Sequence, residues 1–354
     1  MSESDEAVAG GREERPSPEL PLEGGRSAAR RPAAREPFHP KPATPLPAEP
    51  AKRGMSELAR RLLTAAVLIP LVLYIVVLGG LAYLATVMLF VAIGQREFYR
   101  LIEDKGALPL DVLGVAFGAA LCVVAYVGNE YHATILLTAS LLGLMVAQLR
   151  KAQIQESLAS ISGTFFGVFY VAWLLAHAIV LRNFFDVANA KYGFDELLLL
   201  GLHPDSGIFF MMFVLSVVVG CDAGAYFAGR AYGRRKLAPK ISPGKTVEGA
   251  LGGVIAGCVI GTAAKALFDW QWPALSAAFE WRLVLPFAFA LSVAGIVGDL
   301  LESMLKRDAA RKDAGGLLPG MGGVLDRIDS PLLAIPIMYY MLLGYLYLTL
   351  RVGL

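Results

Sequence analysis

Charged residues concentrate between Gly298 and Ser330, in a chain that is otherwise mostly apolar. Two acidic groups flank a basic one in this stretch, in the order Asp299 and Glu302, then Lys306, Arg307, Arg311 and Lys312, then Asp326 and Asp329. Carboxylates bind hard divalent cations, whereas lysine and arginine bind phosphate oxygens. The stretch therefore predicts metal-assisted phosphoryl or nucleotidyl chemistry.

The first acidic group lies on one face of a predicted helix. That face carries, at spacings i, i+3, i+4 and i+7, Asp299, Glu302, Ser303 and Lys306. An ion pair between Glu302 and Lys306 at a solvated helix end is the simpler interpretation. Asp299 favours a site, because it follows the apolar run LSVAGIVG, where an ionised group is costly and usually functional.

The second acidic group precedes Pro331, a residue typical of the first helical position. We therefore predict that the last helix begins there, with Asp329 or Ser330 as its N-cap. Capping does not account for Asp326 or Arg327, which follow the flexible segment GMGG. A cation shared between Asp299 and Asp326 would join two helices and leave positions open for phosphate oxygens, an arrangement that suits magnesium.

Two further features lie upstream. Asp222 is embedded in an apolar segment, either as a structural partner of Arg230 or as part of a metal or nucleotide site. The basic loop RAYGRRKLAPKISPGKTVEG places Lys245 just before a predicted helix start, where an oxyanion is favoured, although the loop also fits a purely topological role. Pro239 stands where a Walker A loop requires glycine.

The elements that must hold these residues are apolar helices. Of 354 residues 56% are hydrophobic and 18% charged, and nine segments approach the length of a membrane span. They are residues 62–78, 81–95, 112–127, 133–149, 161–181, 207–228, 248–268, 283–300 and 331–350. The sequence thus predicts an all-α, polytopic integral membrane protein. Glycines at every fourth position from Gly249 to Gly261 predict a helix-packing face.

The chain divides into three predicted parts. Residues 1–55 are rich in proline, alanine, glycine and charge, which predicts a disordered cytoplasmic tail. Residues 56–206 form the N-terminal transmembrane helices, and residues 207–354 form a catalytic transmembrane region with loops 230–246 and 301–330. Three cysteines lie singly in apolar runs and are expected to be buried: Cys122, Cys221 and Cys258.

Basic residues assign the orientation. With a cytoplasmic N-terminus, the inner connections carry Arg96, Arg100, Lys105, Arg150, Lys151 and both basic loops, whereas the outer ones carry only Arg182, Lys191 and Arg282. Both charged loops then lie on the cytoplasmic side of the cell's inner membrane. A site built from them could take a soluble nucleotide from the cytoplasm and a lipid from the bilayer.

The two loops together resemble the CDP-diacylglycerol synthase (phosphatidate cytidylyltransferase) family. The likeness covers roughly residues 220–331, and it is carried by Asp222 before GAYFAGR, by KLAPKISPGKTVEG, by Ser303, Lys306, Arg307, Lys312 and Asp313, and by the run PGMGGVLDRID that ends at Asp329. The resemblance implies that CTP and phosphatidic acid give CDP-diacylglycerol and pyrophosphate. It also implies that the reaction requires Mg2+, and a second cation is compatible with it.

The resemblance also implies roles for individual residues. Asp299 and Asp326 would hold the metal, and these two with Lys312 form the predicted catalytic set. Substrate binding is expected from Asp222, Lys245, Ser303, Lys306, Arg307, Asp313, Arg327 and Asp329. Membrane lipids are expected partners and nucleic acid is not, while a homodimer is compatible with the sequence.

The sequence departs from the family pattern at Met321, where histidine is usual, and at Gly244 and Val247. A histidine general base is therefore not expected, and a phosphomonoester needs none because its second pKa is near ~6. Two alternatives remain: a CTP-dependent lipid-alcohol kinase, and a transporter that uses Asp222 and Asp299 as an ion path.

Overall fold

The computed structural model of the protein describes residues 57–128, 130–151, 154–317 and 322–352, and the predicted tail lies outside them. In these residues seven helices are long and apolar enough to cross a membrane, and two shorter apolar helices cover Ala66–Leu78 and Asp111–Val127. This confirms an all-α, multi-pass membrane protein. The count of nine spans and the cytoplasmic N-terminus stay predictions.

The helices and strands follow one another along the chain as α1 (Glu57–Leu78), α2 (Gly80–Asp104), α3 (Asp111–Val127), α4 (Glu130–Gln148), α5 (Ser157–Gly167), α6 (Leu174–Arg182), α7 (Phe184–Tyr192), α8 (Phe194–Leu199), α9 (Ser206–Tyr232), β1 (Lys236–Ala238), β2 (Ser242–Thr246), α10 (Val247–Gln271), α11 (Pro273–Ser276), α12 (Trp281–Asp308) and α13 (Leu325–Val352). A π-helical turn, Val168–Trp173, joins α5 directly to α6.

Helix α2 continues well beyond the predicted span 81–95, so Arg96 and Arg100 lie on a helix rather than in a connection. Two buried side chains around the start of this extension form hydrogen bonds to α3 and α5, which stabilise the helix there. Gln95 donates to the carbonyl of Gly114 (3.1 Å), and the Tyr99 hydroxyl donates to the carbonyl of Thr164 (3.1 Å).

The glycine face of α10 packs against α9, as the sequence predicts. Its four glycines, from Gly249 to Gly261, are all buried. A side chain at Gly253 would collide with the backbone of Cys221, so the two helices approach more closely than larger residues would permit. Cys122 and Cys221 are buried and Cys258 is half-buried, as free thiols.

The basic loop contains a short antiparallel ribbon that the sequence did not predict. Strands β1 and β2 pair through Lys236 with Thr246 and Ala238 with Ser242. The Thr246 hydroxyl accepts a hydrogen bond from the amide of Gly249 (3.1 Å) and caps α10. The predicted helix start is confirmed, and the cap fixes Lys245 directly before it.

The prediction that the last helix begins at Pro331 is wrong. Helix α13 begins at Leu325, so Asp329, Ser330 and Pro331 lie inside it. The amide of its first residue, Leu325, donates to the carboxylate of Glu97 on α2 (2.8 Å), in place of a local N-cap at Asp329 or Ser330. The early start places the second acidic group on a helix, beside the end of α12.

Candidate active site

A cavity of about 610 Å3 lies where α9, β2, α10 and α12 meet. It is lined by residues from both predicted site regions, among them Asp222, Ser242, Lys245, Thr246 and Asp299. The basic loop and the charged end of α12 therefore form one site. Arg307 adds a second link between them, because its Nε donates to the carbonyl of Ile241 (3.2 Å).

Lys245 and Asp299 form an ion pair inside this cavity, with both side chains partly exposed to it. Asp222 lines the same cavity. The described residues show no ion pair between Asp222 and Arg230, and the Arg230 guanidinium donates to the hydroxyl of Tyr226 (3.0 Å). Asp222 thus lines the cavity, while its part in a metal or nucleotide site stays a prediction.

Three carboxylates converge next to the cavity. Asp299 and Glu302 on α12 and Asp329 on α13 place one oxygen each within 4.8 Å of one another. The Glu302 side chain is fully buried, and its Oε1 has no hydrogen-bond partner among the described residues. A buried carboxylate oxygen without a donor, grouped with two more carboxylates, fits the all-oxygen ligand set of a hard divalent cation.

Asp326 lies beside this cluster and is occupied by donors. Its carboxylate accepts from Lys306 Nζ (2.6 Å), from the amide of Gly323 (2.8 Å) and from that of Ala314 (3.1 Å). Lys306 also pairs with Glu302 at 2.6 Å and so links Asp326 to the cluster. The prediction that Asp299 and Asp326 share a cation stays a prediction.

The other predicted residues are distributed around these groups. The Ser303 hydroxyl lies 3.5 Å from the Asp299 carboxylate, to which it donates. Lys312 and Asp313 are exposed on the segment after α12 and do not line the cavity. Met321 lies outside the described residues, so its role stays open to experiment.

Arg327 borders a second cavity of about 200 Å3, lined by α1, α2, α6, α9 and α13. Its lining is otherwise almost entirely apolar, with residues such as Val72, Phe90, Met211 and Ile335. An exposed guanidinium at one end of an apolar space suits a molecule that has an anionic group and a hydrocarbon chain.

Sequence reasoning missed Glu97, which organises the segment between α12 and α13. It is 3% exposed and accepts from the amide of Leu325. A Cβ at Gly315 or Gly323 would collide with its carboxylate, so both glycines make room for it. A signal for Glu97 was available in the sequence. Gly94, Phe98 and Leu101 continue the buried face of α2 beyond the predicted end of the span, and Glu97 lies among them.

Comparison with known proteins agrees with the resemblance. Residues 59–345 match the family model described as "Cytidylyltransferase family". A phosphatidate cytidylyltransferase of Synechocystis is 31% identical over 291 residues, which are 79% of this chain and 95% of that protein. One of Brucella suis is 32% identical over 289 residues (80% and 93%). One of Haemophilus influenzae is 42% identical over 137 residues (39% and 46%).

Proposed function

Because the chain belongs to the cytidylyltransferase family, we propose that it transfers the cytidylyl group of CTP to phosphatidic acid, giving CDP-diacylglycerol and pyrophosphate. One observation carries the proposal: the cavity where Lys245 meets Asp299 adjoins a cluster of three carboxylates. Groups that suit phosphate and groups that suit a cation thus lie together at one end of a bundle of apolar helices. The relatives named phosphatidate cytidylyltransferase support the same reaction.

The larger cavity suits the nucleotide. Its volume of about 610 Å3 is within the usual range of small-molecule sites, and Lys245 offers an ammonium group inside it. Lys245 exchanges its partner Asp299 for a phosphate oxygen of CTP, which leaves the Asp299 carboxylate available as a ligand. Ser303 keeps that carboxylate oriented through its hydroxyl.

We propose Mg2+ as the cation, held by Asp299, Glu302 and Asp329, whose oxygens converge. When bound, it supplies positive charge that polarises the α-phosphate and neutralises the leaving pyrophosphate. Asp326 remains a predicted ligand as well, since it becomes available if Lys306 turns from it to a phosphate. A second cation, compatible with the family resemblance, would use that oxygen.

The smaller, apolar cavity suits phosphatidic acid, with an acyl chain between α1, α2 and α13 and the phosphate at Arg327. The phosphomonoester is largely dianionic at pH 7 and attacks the α-phosphate of CTP without a general base. The chain's task is alignment and charge neutralisation, which Lys245, Lys306 and Arg327 can provide. Arg307, Lys312 and Asp313 stay predicted substrate contacts.

The active site is proposed to face the cytoplasm, across the inner membrane of the cell. The contact between Arg307 and Ile241 holds loops 230–246 and 301–330 at the same end of the bundle, which supports a common side for both. Their basic residues favour the cytoplasmic side, where CTP is available. The homodimer stays a prediction.

The test uses purified protein in detergent with phosphatidic acid, Mg2+ and CTP labelled at either the α- or the γ-phosphate. We expect α-label in the lipid and release of pyrophosphate. Label from the γ-position in the lipid would instead establish a lipid kinase. Transfer should fall by about 10²–10³-fold in Asp299→Asn, which keeps the side chain's size but loses its charge.

Asp186→Asn is the matched control for that variant. Asp186 is an exposed carboxylate on α7 and lines neither of the two substrate cavities. Its transfer rate should stay within about twofold of the unaltered protein, as for most surface substitutions. Equal losses in both variants would contradict the assignment of the site to Asp299.

A further inference from the structure

Tyr170 is a buried tyrosine whose hydroxyl has no hydrogen-bond partner among the residues that the structure describes. Its ring stacks on Phe166 with centroids 5.3 Å apart and is tilted against Phe98 at 5.9 Å. A phenylalanine would make both contacts equally well. Packing therefore explains the ring but not the hydroxyl, because an unpaired buried hydroxyl is destabilising.

Tyr170 lies in the part of the bundle that faces the start of α13. Its sequence neighbour Val171 and the neighbour of Asp329, Ile328, both pack on Gly94 of α2. The charges of Glu302 and Asp329, two members of the cluster, act on the Tyr170 hydroxyl. Oε1 of Glu302 also has no hydrogen-bond partner in the described part of the chain. A buried donor and a buried acceptor in the same part of the bundle thus both lack a partner, as they would if a small polar molecule joined them.

The backbone sets the same position apart. Tyr170 belongs to the π-helical turn Val168–Trp173, which takes up one residue more than an α-helical turn. A side chain at Gly167, just before the turn, would collide with the ring of Tyr99, so the helix packs closely on α2 here. Single π turns inside α-helices recur at functional sites, and this observation is independent of the unpaired hydroxyl.

We propose that Tyr170 is a positioning residue of the cation site. Its hydroxyl donates a hydrogen bond to the oxygen of a water molecule, and that water donates to the carboxylates of Glu302 and Asp329. Mg2+ retains several waters when it binds to proteins, so a fixed donor beside the carboxylates holds one of these waters in place. The inference rests on the proposed cation site, and Tyr170 makes no contact with the transferred group.

The test is Tyr170→Phe in the full chain, purified in detergent without substrates. Binding of Mn2+, a spectroscopic substitute for Mg2+, is measured by the loss of its free electron paramagnetic resonance signal. We expect the dissociation constant to rise about tenfold, as for the loss of one hydrogen bond. The melting temperature without cation should stay equal or increase, because the variant removes an unpaired buried hydroxyl.

Tyr99→Phe is the matched control, since it makes the same change in a second buried tyrosine whose ring, like that of Tyr170, lies against Phe98. The Tyr99 hydroxyl has partners in Thr164 and Gln95, so this variant should melt at a lower temperature and bind Mn2+ with unchanged affinity. Tyr170→Phe with Mn2+ affinity within about twofold of the unaltered protein would overturn the inference, since a lost hydrogen bond costs more.

A kinetic measurement separates positioning from substrate contact. In Tyr170→Phe the Mg2+ concentration for half-maximal transfer should rise about tenfold, with kcat at saturating Mg2+ nearly unchanged. A protein that binds Mn2+ as expected but transfers no label would contradict the proposed function and leave the role of Tyr170 supported. An unaltered protein that binds no Mn2+ would overturn the inference.

Discussion

Lys306 is the residue on which the balance of charge in the site depends. Its ammonium group lies 2.6 Å from carboxylate oxygens of both Glu302 and Asp326, and only 12% of its side chain is exposed. The sequence suggested a simple pair with Glu302 at a solvated helix end. The structure confirms the pair but buries it, and a buried carboxylate that loses its partner is strongly destabilising.

Lys306→Met should therefore lower the free energy of unfolding by about 3–5 kcal/mol in metal-free detergent solution. Adding Glu302→Gln to the variant should recover part of this loss, because it removes one of the two uncompensated charges. Thermal or denaturant unfolding measures both effects.

Lys105→Met is the control for Lys306→Met. Lys105 makes an ion pair of 2.9 Å with Asp308, but both side chains are about half exposed or more. Such surface pairs contribute at most about 1 kcal/mol. Losses of similar size in the two variants would show that burial does not control the stability of the Lys306 cluster.

At the scale of elements, Glu97 joins α2 to the start of α13. Its carboxylate accepts from the amide of Leu325 and fills a space that the glycines at 315 and 323 leave open. The contact spans 228 residues of sequence. It explains why the start of α13 was predicted wrongly: capping rules use neighbouring residues, and this N-terminus is satisfied by a residue from another helix.

Gly323→Ala tests this arrangement. A Cβ at Gly323 would lie 2.5 Å from Oε2 of Glu97, so the carboxylate must move and its bond to Leu325 weakens. We expect a loss of about 1–3 kcal/mol in stability, as for other overpacked sites, and reduced transfer because the amide of Gly323 donates to the Asp326 carboxylate.

Gly316→Ala is the matched control in the same segment. A Cβ at Gly316 meets nothing within 4 Å, and its backbone is not in the left-handed region. The variant should match the unaltered protein in melting temperature and transfer rate. If Gly323→Ala behaved in the same way, the close approach of Glu97 to Gly323 would not constrain the fold.

The predicted elements fall into two classes. Hydrophobic segments were predicted well, because each of the nine predicted spans overlaps an apolar helix of the structure and length and apolarity are local properties. The β1–β2 ribbon and the full length of α2 were not predicted. Both depend on contacts between separate parts of the chain. In the basic loop, for example, the Arg234 amide donates a hydrogen bond to the Glu248 carboxylate (2.9 Å).

For the whole molecule, the sequence predicted the assembly of the site better than its internal geometry. The basic loop and α12 meet in the structure, because Lys245 and Asp299 line the same cavity. The spacing of the carboxylates in the sequence does not show which of them converge and which one pairs with Lys306 instead. That arrangement depends on Lys306, which reaches across to α13 and occupies Asp326 while Asp329 faces Glu302.

The proposed orientation predicts which residues a membrane-impermeant maleimide reaches in intact spheroplasts. Lys191→Cys, exposed near the end of α7, lies on the proposed outer side and should be labelled at once. Arg234→Cys, exposed in the basic loop, should be labelled only after permeabilisation. The background is low because Cys122 and Cys221 are buried, and the half-buried Cys258 is replaced by alanine.

The reverse pattern would move both charged loops to the outer face, since Arg307 and Ile241 hold them at the same end of the bundle. The cavity would then open away from the CTP of the cytoplasm, and Lys245 could not meet its proposed substrate. Labelling of both cysteines in intact spheroplasts would contradict the proposed number of spans between positions 191 and 234. The experiment thus tests the orientation and the nucleotide's access to the site together.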